Sequence, residues 1–274
     1  MSNRHPVGAL QRRAAIVDEL NHWGFVSTPE LALLFSVSSM TIRRDIQQLQ
    51  FLESVRAVRG GVALPDVGVR DAEFAGRVRE DAGAKEQIAL ACQQLIGANS
   101  SIIVDAGTTS FEVARRLPSS FRGTLITHSA PVIQHALRLR SARTICLGGE
   151  LLADSQAFGG AMTITAVENL HAKIAFIGVS AMDARGLYID RDLELLTKRA
   201  IIGAADQVIV VAVHKKMGHP GPVHLMGFDG IDTVVTDQRP PNDLFRVLDA
   251  AGVAIIVADN ATTSAQTSTT ADQK

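Results

Sequence analysis

Two cysteines, one tryptophan and one tyrosine are all that 274 residues supply of these types, and aromatic residues make up only 4%. Cys92 and Cys146 each sit in an apolar periodic segment, so a pair of reduced core thiols is expected rather than a disulfide framework. With so few rings, the core has to be built from Ala, Val, Ile and Leu, which suits helices packed on buried parallel strands. No apolar run approaches the ~20 residues that a membrane span requires. Met1–Gly8 is polar and lacks the apolar stretch of a secretory leader, so a cytoplasmic chain is expected. His214, His219 and His224 recur every five residues in a loop rich in Gly and Pro. That is neither a helical face nor a zinc spacing, and no cysteine is near, so neither a metal nor a cofactor is expected.

Charge of one sign is also missing. The net charge of −1 argues against a protein that coats nucleic acid. Its distribution is more informative, because residues 1–65 hold seven arginines and no lysine against five acidic residues. The rest of the chain carries the negative excess. A reader of DNA needs only a local basic face, which this asymmetry permits.

Three regions follow one another. Residues 1–63 read as three helices and a Gly-Gly turn. Residues 64–83 mix charged and small residues without clear periodicity, as a linker would. From residue 84 to 260, helical stretches alternate with short apolar runs at 101–105, 124–127, 143–147, 173–179, 207–213, 233–236 and 253–257. That alternation predicts a parallel sheet with helices on both faces, an α/β domain of Rossmann-like type. The last stretch, 261–274, is rich in Ser and Thr with almost no large apolar group, and is expected to be disordered.

The first region has a specific grammar. Leu10, Ile16, Val17, Leu20 and Trp23 fall largely on one face of a helix over about 9–22, stopped by Gly24. Ser27-Thr28-Pro29-Glu30 is a capping box for a short helix, with Pro in the first turn. Ser36-Val37 then makes a tight turn, and Ser38 caps a third helix running to about Phe51. Two helices joined so tightly match a helix-turn-helix. In the third helix Ile42, Ile46 and Leu49 point inward, while Ser38, Ser39, Met40, Thr41, Arg43 and Arg44 form the end and face that could enter a major groove. Asp45 is ill suited to face DNA and is expected to orient an arginine. The run Val58-Arg59-Gly60-Gly61-Val62 reads as a hairpin wing, with Arg56 and Arg59 placed to meet phosphates. Beyond it, Ile102–Val104 ends at Asp105, and Gly107-Thr108-Thr109-Ser110 opens a helix. This puts N–H groups and hydroxyls at a helix N-terminus past a strand end, a favourable anion site.

VSSMTIRRDIQQL followed by RAVRGGVAL resembles the signature of the DeoR family of bacterial transcriptional regulators, over about residues 10–255. Asp105-Ala106-Gly107-Thr108-Thr109 is similar to that family's D-x-GTT segment, Glu86–Ala89 to its EK-x-x-IA helix, and Glu194 with Lys198-Arg199-Ala200 to its E-x-x-x-K-R-A helix. The resemblance implies a winged helix-turn-helix followed by a sensing domain similar in fold to sugar-phosphate isomerases. It also implies a phosphorylated sugar or related metabolite as effector, a double-stranded DNA operator as partner, and a homo-oligomer. Asp105, Gly107, Thr108, Thr109 and Ser110 become the expected effector site. They are joined by His128, where the family usually has Asn; by Gly149 of the GG-x-L segment; and by Lys216.

The sequence departs from the family at Val213-His214-Lys215-Lys216, where Asp-x-Ser-Lys is usual. Only the lysine remains. The expected activity is therefore regulation, as a repressor of carbohydrate-metabolism genes, with activation left open by the sequence because it depends on operator position, and no catalytic residues assigned. The alternative of another class, an isomerase with an appended DNA-binding domain, would need an acid–base pair that the altered segment has lost.

Overall fold

The computed structural model describes residues 8–23, 25–52, 54–58, 60–65, 69–118 and 120–258. The tail expected to be disordered and Arg59 lie outside these residues.

The N-terminal unit runs α1 (Ala9–Trp23), β1 (Phe25–Ser27), α2 (Thr28–Leu34), α3 (Ser39–Phe51), β2 (Arg56–Val58) and β3 (Gly61–Ala63). The Ser27 hydroxyl accepts the Glu30 N–H at 3.3 Å while the Glu30 carboxylate accepts the Ser27 N–H at 3.0 Å, so both halves of the capping box form. Ser38 caps α3 by accepting the Thr41 N–H at 3.1 Å. Ile16, Leu20, Leu31, Ile42, Ile46 and Leu49 close the core of this unit. Leu10, placed on the same face by periodicity, is instead 80% exposed. The three strands form an antiparallel sheet in the order β1-β3-β2, adding a strand that the sequence did not suggest. The two wing glycines divide their work. Gly60 supplies the positive φ of the turn (+84°), whereas Gly61 is required because a side chain there would strike the Val26 carbonyl and the Phe25 ring.

The stretch read as a linker contains a helix, α4 (Val69–Arg79). Its pattern is hard to read because Phe74 and Val78 are separated by Gly76 and flanked by charge. α4 leads into α5 (Ala82–Gln93) and then the α/β unit: β4 (Ser101–Val104), α6 (Thr108–Arg115), β5 (Thr124–Thr127), α7 (Ala130–Ala136) and β6 (Arg143–Cys146). After the hairpin β7 (Glu150–Leu152) and β8 (Ala157–Gly159) come α8 (Ala161–Glu168), β9 (Ala172–Gly178), β10 (Ala181–Asp183) and β11 (Gly186–Ile189). The chain then continues through α9 (Leu195–Gly203), β12 (Ala205–Val211), β13 (Val223–Met226), β14 (Thr233–Thr236), α10 (Asn242–Ala250) and β15 (Ala254–Val257).

Seven of these strands, each matching one of the apolar runs, make a parallel sheet in the order β15-β14-β12-β9-β4-β5-β6. Alternate residues feed two cores. Ile103, Ala175, Ile177, Val208, Val210 and Val234 face α8, α9 and α10, and Ile102, Val104, Ile174, Phe176, Ile209 and Val211 face α5, α6 and α7. Burial on both faces is why the strands read as unbroken apolar runs. Cys92 is buried in α5, where its surroundings push its thiol up to about 12. Cys146, expected in the core, is exposed because β6 is an edge strand. The chain winds outward through β4, β5 and β6, returns to β9, and winds the other way. The order therefore reverses between β4 and β9, and a crevice opens there beyond the strand ends.

Candidate functional site

Arg43 and Arg44 are exposed on α3, and Ser39, Met40 and Thr41 lie in its first turn. Ser39, Arg43, Gln47 and Gln50 run down the side of α3 that faces the wing. With Thr28, Ala57 and Gly60 they border a groove of about 430 Å³. Arg56, at the start of β2, is half-buried. The Thr28 N–H donates to the Gly60 carbonyl at 3.0 Å, tying the wing to the start of α2. Asp45 is buried and orients an arginine, but not one of its own helix. Its carboxylate takes Arg12 Nε at 2.6 Å and lies 3.6 Å from Arg13 Nε, so α1 is locked to α3 from behind.

At the sheet's reversal point the organising residue is Asp105, which has no solvent exposure. Oδ2 accepts the Gly178 N–H at 2.9 Å and is paired with Lys198 Nζ, and Oδ1 lies 3.0 Å from His128 Nε2. Lys198 also donates to the Gly178 carbonyl at 3.1 Å. Burial alone would push this carboxyl's pKa up. The Lys198 ammonium and the His128 contact outweigh burial and hold it below the usual carboxylate range. His128 Nδ1 is 2.7 Å from the Phe158 carbonyl, and the Ala106 nitrogen lies 3.1 Å from Nε2. One carboxylate thus joins the ends of β4, β5 and β9 to α9.

Above this hub lies a cleft of about 210 Å³. Its floor is Ala106–Thr109 at the N-terminus of α6, where Gly107 adopts φ +122°, and Gly178–Ser180 at the end of β9. Cations enter from three sides: Lys198 from α9, Lys216 from the turn after β12, and Arg77 from α4. Lys216 donates to the Val179 carbonyl at 2.7 Å. Burial brings its ammonium down to about 8; Asp190 opposes the shift, and Lys198, Arg77 and Lys215 add to it. Asp154, Ser155, Asp190, Arg191 and Glu194 complete the rim.

Four of the eight expected effector residues line this cleft: Gly107, Thr108, Thr109 and Lys216. The other four do not. Asp105 and His128 lie beneath it, satisfied by protein partners. Ser110 is fully buried one residue further into α6, its hydroxyl without a hydrogen-bond partner. Gly149 is in a separate turn, where φ +149° and close approach to Thr163 and the Gly159 carbonyl demand glycine. Sequence reasoning missed Arg77, Asp190, Arg191 and Lys198 as site residues. Lys198 was visible within the K-R-A motif, whereas Arg77 was hidden in the stretch taken for a linker. The rings of His219 and His224 meet the carbonyls of Lys215 and Arg185, whereas His214 meets the Asp237 carboxylate through its backbone N–H, and among the described residues no group of these side chains could hold a metal ion.

Residues 12–67 match the DeoR-like helix-turn-helix domain and residues 80–238 match the DeoR C-terminal sensor domain. The chain belongs to the DeoR family. It is accordingly a DNA-binding transcriptional regulator. The glycerol-3-phosphate regulon repressor of Escherichia coli (strain K12) is 31% identical over 87% of this chain and 94% of its own length. The HTH-type transcriptional repressor GlcR of Bacillus subtilis (strain 168) is 28% identical over 91% of this chain and 96% of its own. A putative aga operon transcriptional repressor of Escherichia coli O157:H7 is 30% identical over 91% and 94%. Among solved structures, ribose 5-phosphate isomerase A from Methanocaldococcus jannaschii aligns with a TM-score of 0.37 and 15% identity, over 50% of this chain and 54% of that one.

This DeoR-family chain turns its departure at 213–216 to structural use. Val213 is buried in the core. His214 donates its N–H to Asp237 at 2.6 Å. Lys215 leaves the cleft and pairs with Glu80 at 2.6 Å and with Asp81, at the joint between α4 and α5. No helix among the described residues is long and apolar enough to cross a membrane.

Proposed function

We propose that this protein is a cytoplasmic, homo-oligomeric repressor of carbohydrate-metabolism genes, released from its operator when a phosphorylated sugar or related phosphoester occupies the cleft. The observation that carries the reading is the convergence of Lys198, Lys216 and Arg77 on the N-terminus of α6. A phosphate there meets the N–H groups of Thr108 and Thr109, the helix dipole and three cations. Asp190 and Glu194 on the rim suit the hydroxyls of a sugar. The relatives named as repressors of the glycerol-3-phosphate regulon and the aga operon support both the sign of regulation and the ligand class.

The protein binds this ligand without converting it. Asp105, the carboxylate nearest the floor, is committed to Lys198, Gly178 and His128, and Val213 removes the second acid that the family's usual segment would supply. On the DNA side, Ser39, Met40, Thr41, Arg43 and Arg44 enter the major groove, and Arg56 and Arg59 of the wing meet phosphates. Ser38 keeps its hydroxyl for the cap of α3.

The test is fluorescence anisotropy on the protein's own upstream region, titrated with glycerol 3-phosphate, glucose 6-phosphate and galactosamine 6-phosphate beside their unphosphorylated parents. Release by a phosphoester at micromolar to millimolar concentration, with the parent much weaker, is expected. Release by an uncharged sugar alone would refute the anion site.

A further inference from the structure

The last turn of α4 is gripped from two directions. On the sensor side, Lys85 of α5 donates to the carbonyl of Arg77 and, at 2.6 Å, to that of Glu80. Lys215 holds the carboxylates of Glu80 and Asp81. Phe74 meets Phe111 of α6 edge-on at 6.1 Å, and Arg77 Nη2 donates to the Asp154 carbonyl at 3.0 Å on the wall of the cleft. On the other side, Arg79 Nε donates at 3.1 Å to Glu30, the same carboxylate that completes the capping box of α2. Gly76 lies against the Phe25 ring of β1 so closely that a side chain there would come within 3.0 Å of it. Two residues apart on a helix are turned by about 200°, so Arg77 reaches the cleft while Arg79 reaches the winged helix.

Resting on the effector reading above, we propose that Arg77 binds the effector's phosphoryl group directly, and that α4 transmits its displacement to the helix-turn-helix through Arg79 and Glu30. Arg77 now holds a neutral backbone carbonyl. A phosphate dianion offers the guanidinium a two-pronged, charge-assisted partner of about twice the strength. Moving Arg77 moves the turn that Lys85 and Lys215 clamp, and Arg79 stands in that turn. Its carboxylate partner fixes the start of α2, whose first N–H is bonded to the wing at Gly60. Binding energy in one domain therefore reaches both DNA-reading parts of the other. Lys215, from the segment where this chain departs from its family, braces the joint.

The test uses the full chain with inorganic phosphate and glycerol 3-phosphate as probes, calorimetry for probe binding, and operator anisotropy at constant ionic strength. Arg77→Met is expected to weaken binding of both probes and abolish release. Arg77→Lys, which keeps the charge and loses the fork, should fall between it and wild type. Arg79→Met is expected to bind the probes as wild type does yet lose about fivefold or more of the probe-induced drop in DNA affinity, the lower range of allosteric couplings. Wild-type release by Arg79→Met would overturn the relay, and wild-type probe affinity in Arg77→Met would overturn the contact. If wild type binds neither probe and none of the other phosphoesters titrated above, the effector reading falls and takes this inference with it, an outcome distinct from both others. Arg77 is exposed and Arg79 half-buried, and coincident thermal melts establish that the variants fold.

Discussion

A charge with no access to water has to be matched by its neighbours, and Asp105 meets that requirement through Lys198. Removing one partner of a buried pair costs about 3–5 kcal/mol because the other is stranded. Lys198→Met is therefore expected to destabilise the sensing domain by that order, read from urea unfolding at pH 7. The pH dependence has a definite sign. The folded pKa of Asp105 is depressed, so its contribution is present above the unfolded value of about 3.9 and is lost as pH falls through the folded value. In Lys198→Met, burial is no longer opposed by the ammonium and the carboxyl takes up a proton more readily. The deficit relative to wild type should narrow toward low pH, and a constant deficit would contradict the assignment.

Lys216 gives a second residue-scale prediction at the other end of the scale. Burial holds its ammonium at about 8, so it is charged at pH 7 and loses its proton above pH 8. A phosphate monoester, with its second pKa near ~6, is already dianionic throughout that window. Effector affinity should therefore fall between pH 7 and 9, and Lys216→Met should bind weakly and largely lose the slope. Lys85, also lowered to about 8 by burial and by Lys216, titrates in the same range but bonds the end of α4. An undiminished slope in Lys216→Met would assign the titration to Lys85.

Among the elements, α3 combines an exposed reading face with a buried anchor. Arg44→Ala should lower the slope of log affinity against log salt by ~0.9 if the lost contact is to phosphate, or relax one base position by ~1–3 kcal/mol if it is to guanine. Unchanged affinity and specificity in a folded variant would remove α3 from the interface. Asp45→Ala acts from behind. It removes the buried carboxylate that joins Arg12 and Arg13 of α1 to α3, and should lower the stability of the winged helix before DNA is added, read from urea unfolding. The elements also show where sequence carries its information. Caps at Ser27 and Ser38, and the seven apolar runs, are local patterns and were legible. The edge-strand exposure of Cys146, the exposure of Leu10 and the helix around Gly76 depend on what packs beside them, so no local pattern encodes them. The same distinction runs through the cleft. Gly107–Thr109 form a contiguous motif, whereas Arg77, Lys198 and Lys216 come from three distant elements that only the sheet's reversal point brings together.

For the whole molecule, one winged helix covers one half-site, and operator specificity usually needs two. Light scattering should give a mass that is a multiple of 29.2 kDa, free and on DNA. Two ligands on one regulator must also obey linkage: if the effector weakens operator binding by some factor, operator must weaken effector binding by the same factor. Calorimetry of the effector with and without saturating operator should return the ratio seen by anisotropy, and unequal ratios would mean that release is simple competition with salt. Thr108→Val tests this through its opposite. Thr108 opens α6 on the floor of the cleft, and the change removes a hydroxyl and places a methyl where a phosphate oxygen would lie. The α3 face and its Asp45 anchor are untouched, so operator affinity should stay within experimental error of wild type. With effector excluded, both sides of the linkage should collapse to a factor of one, leaving a repressor locked on its operator. A Thr108→Val protein that still releases DNA at the wild-type effector concentration would place the effector elsewhere in the sensing domain.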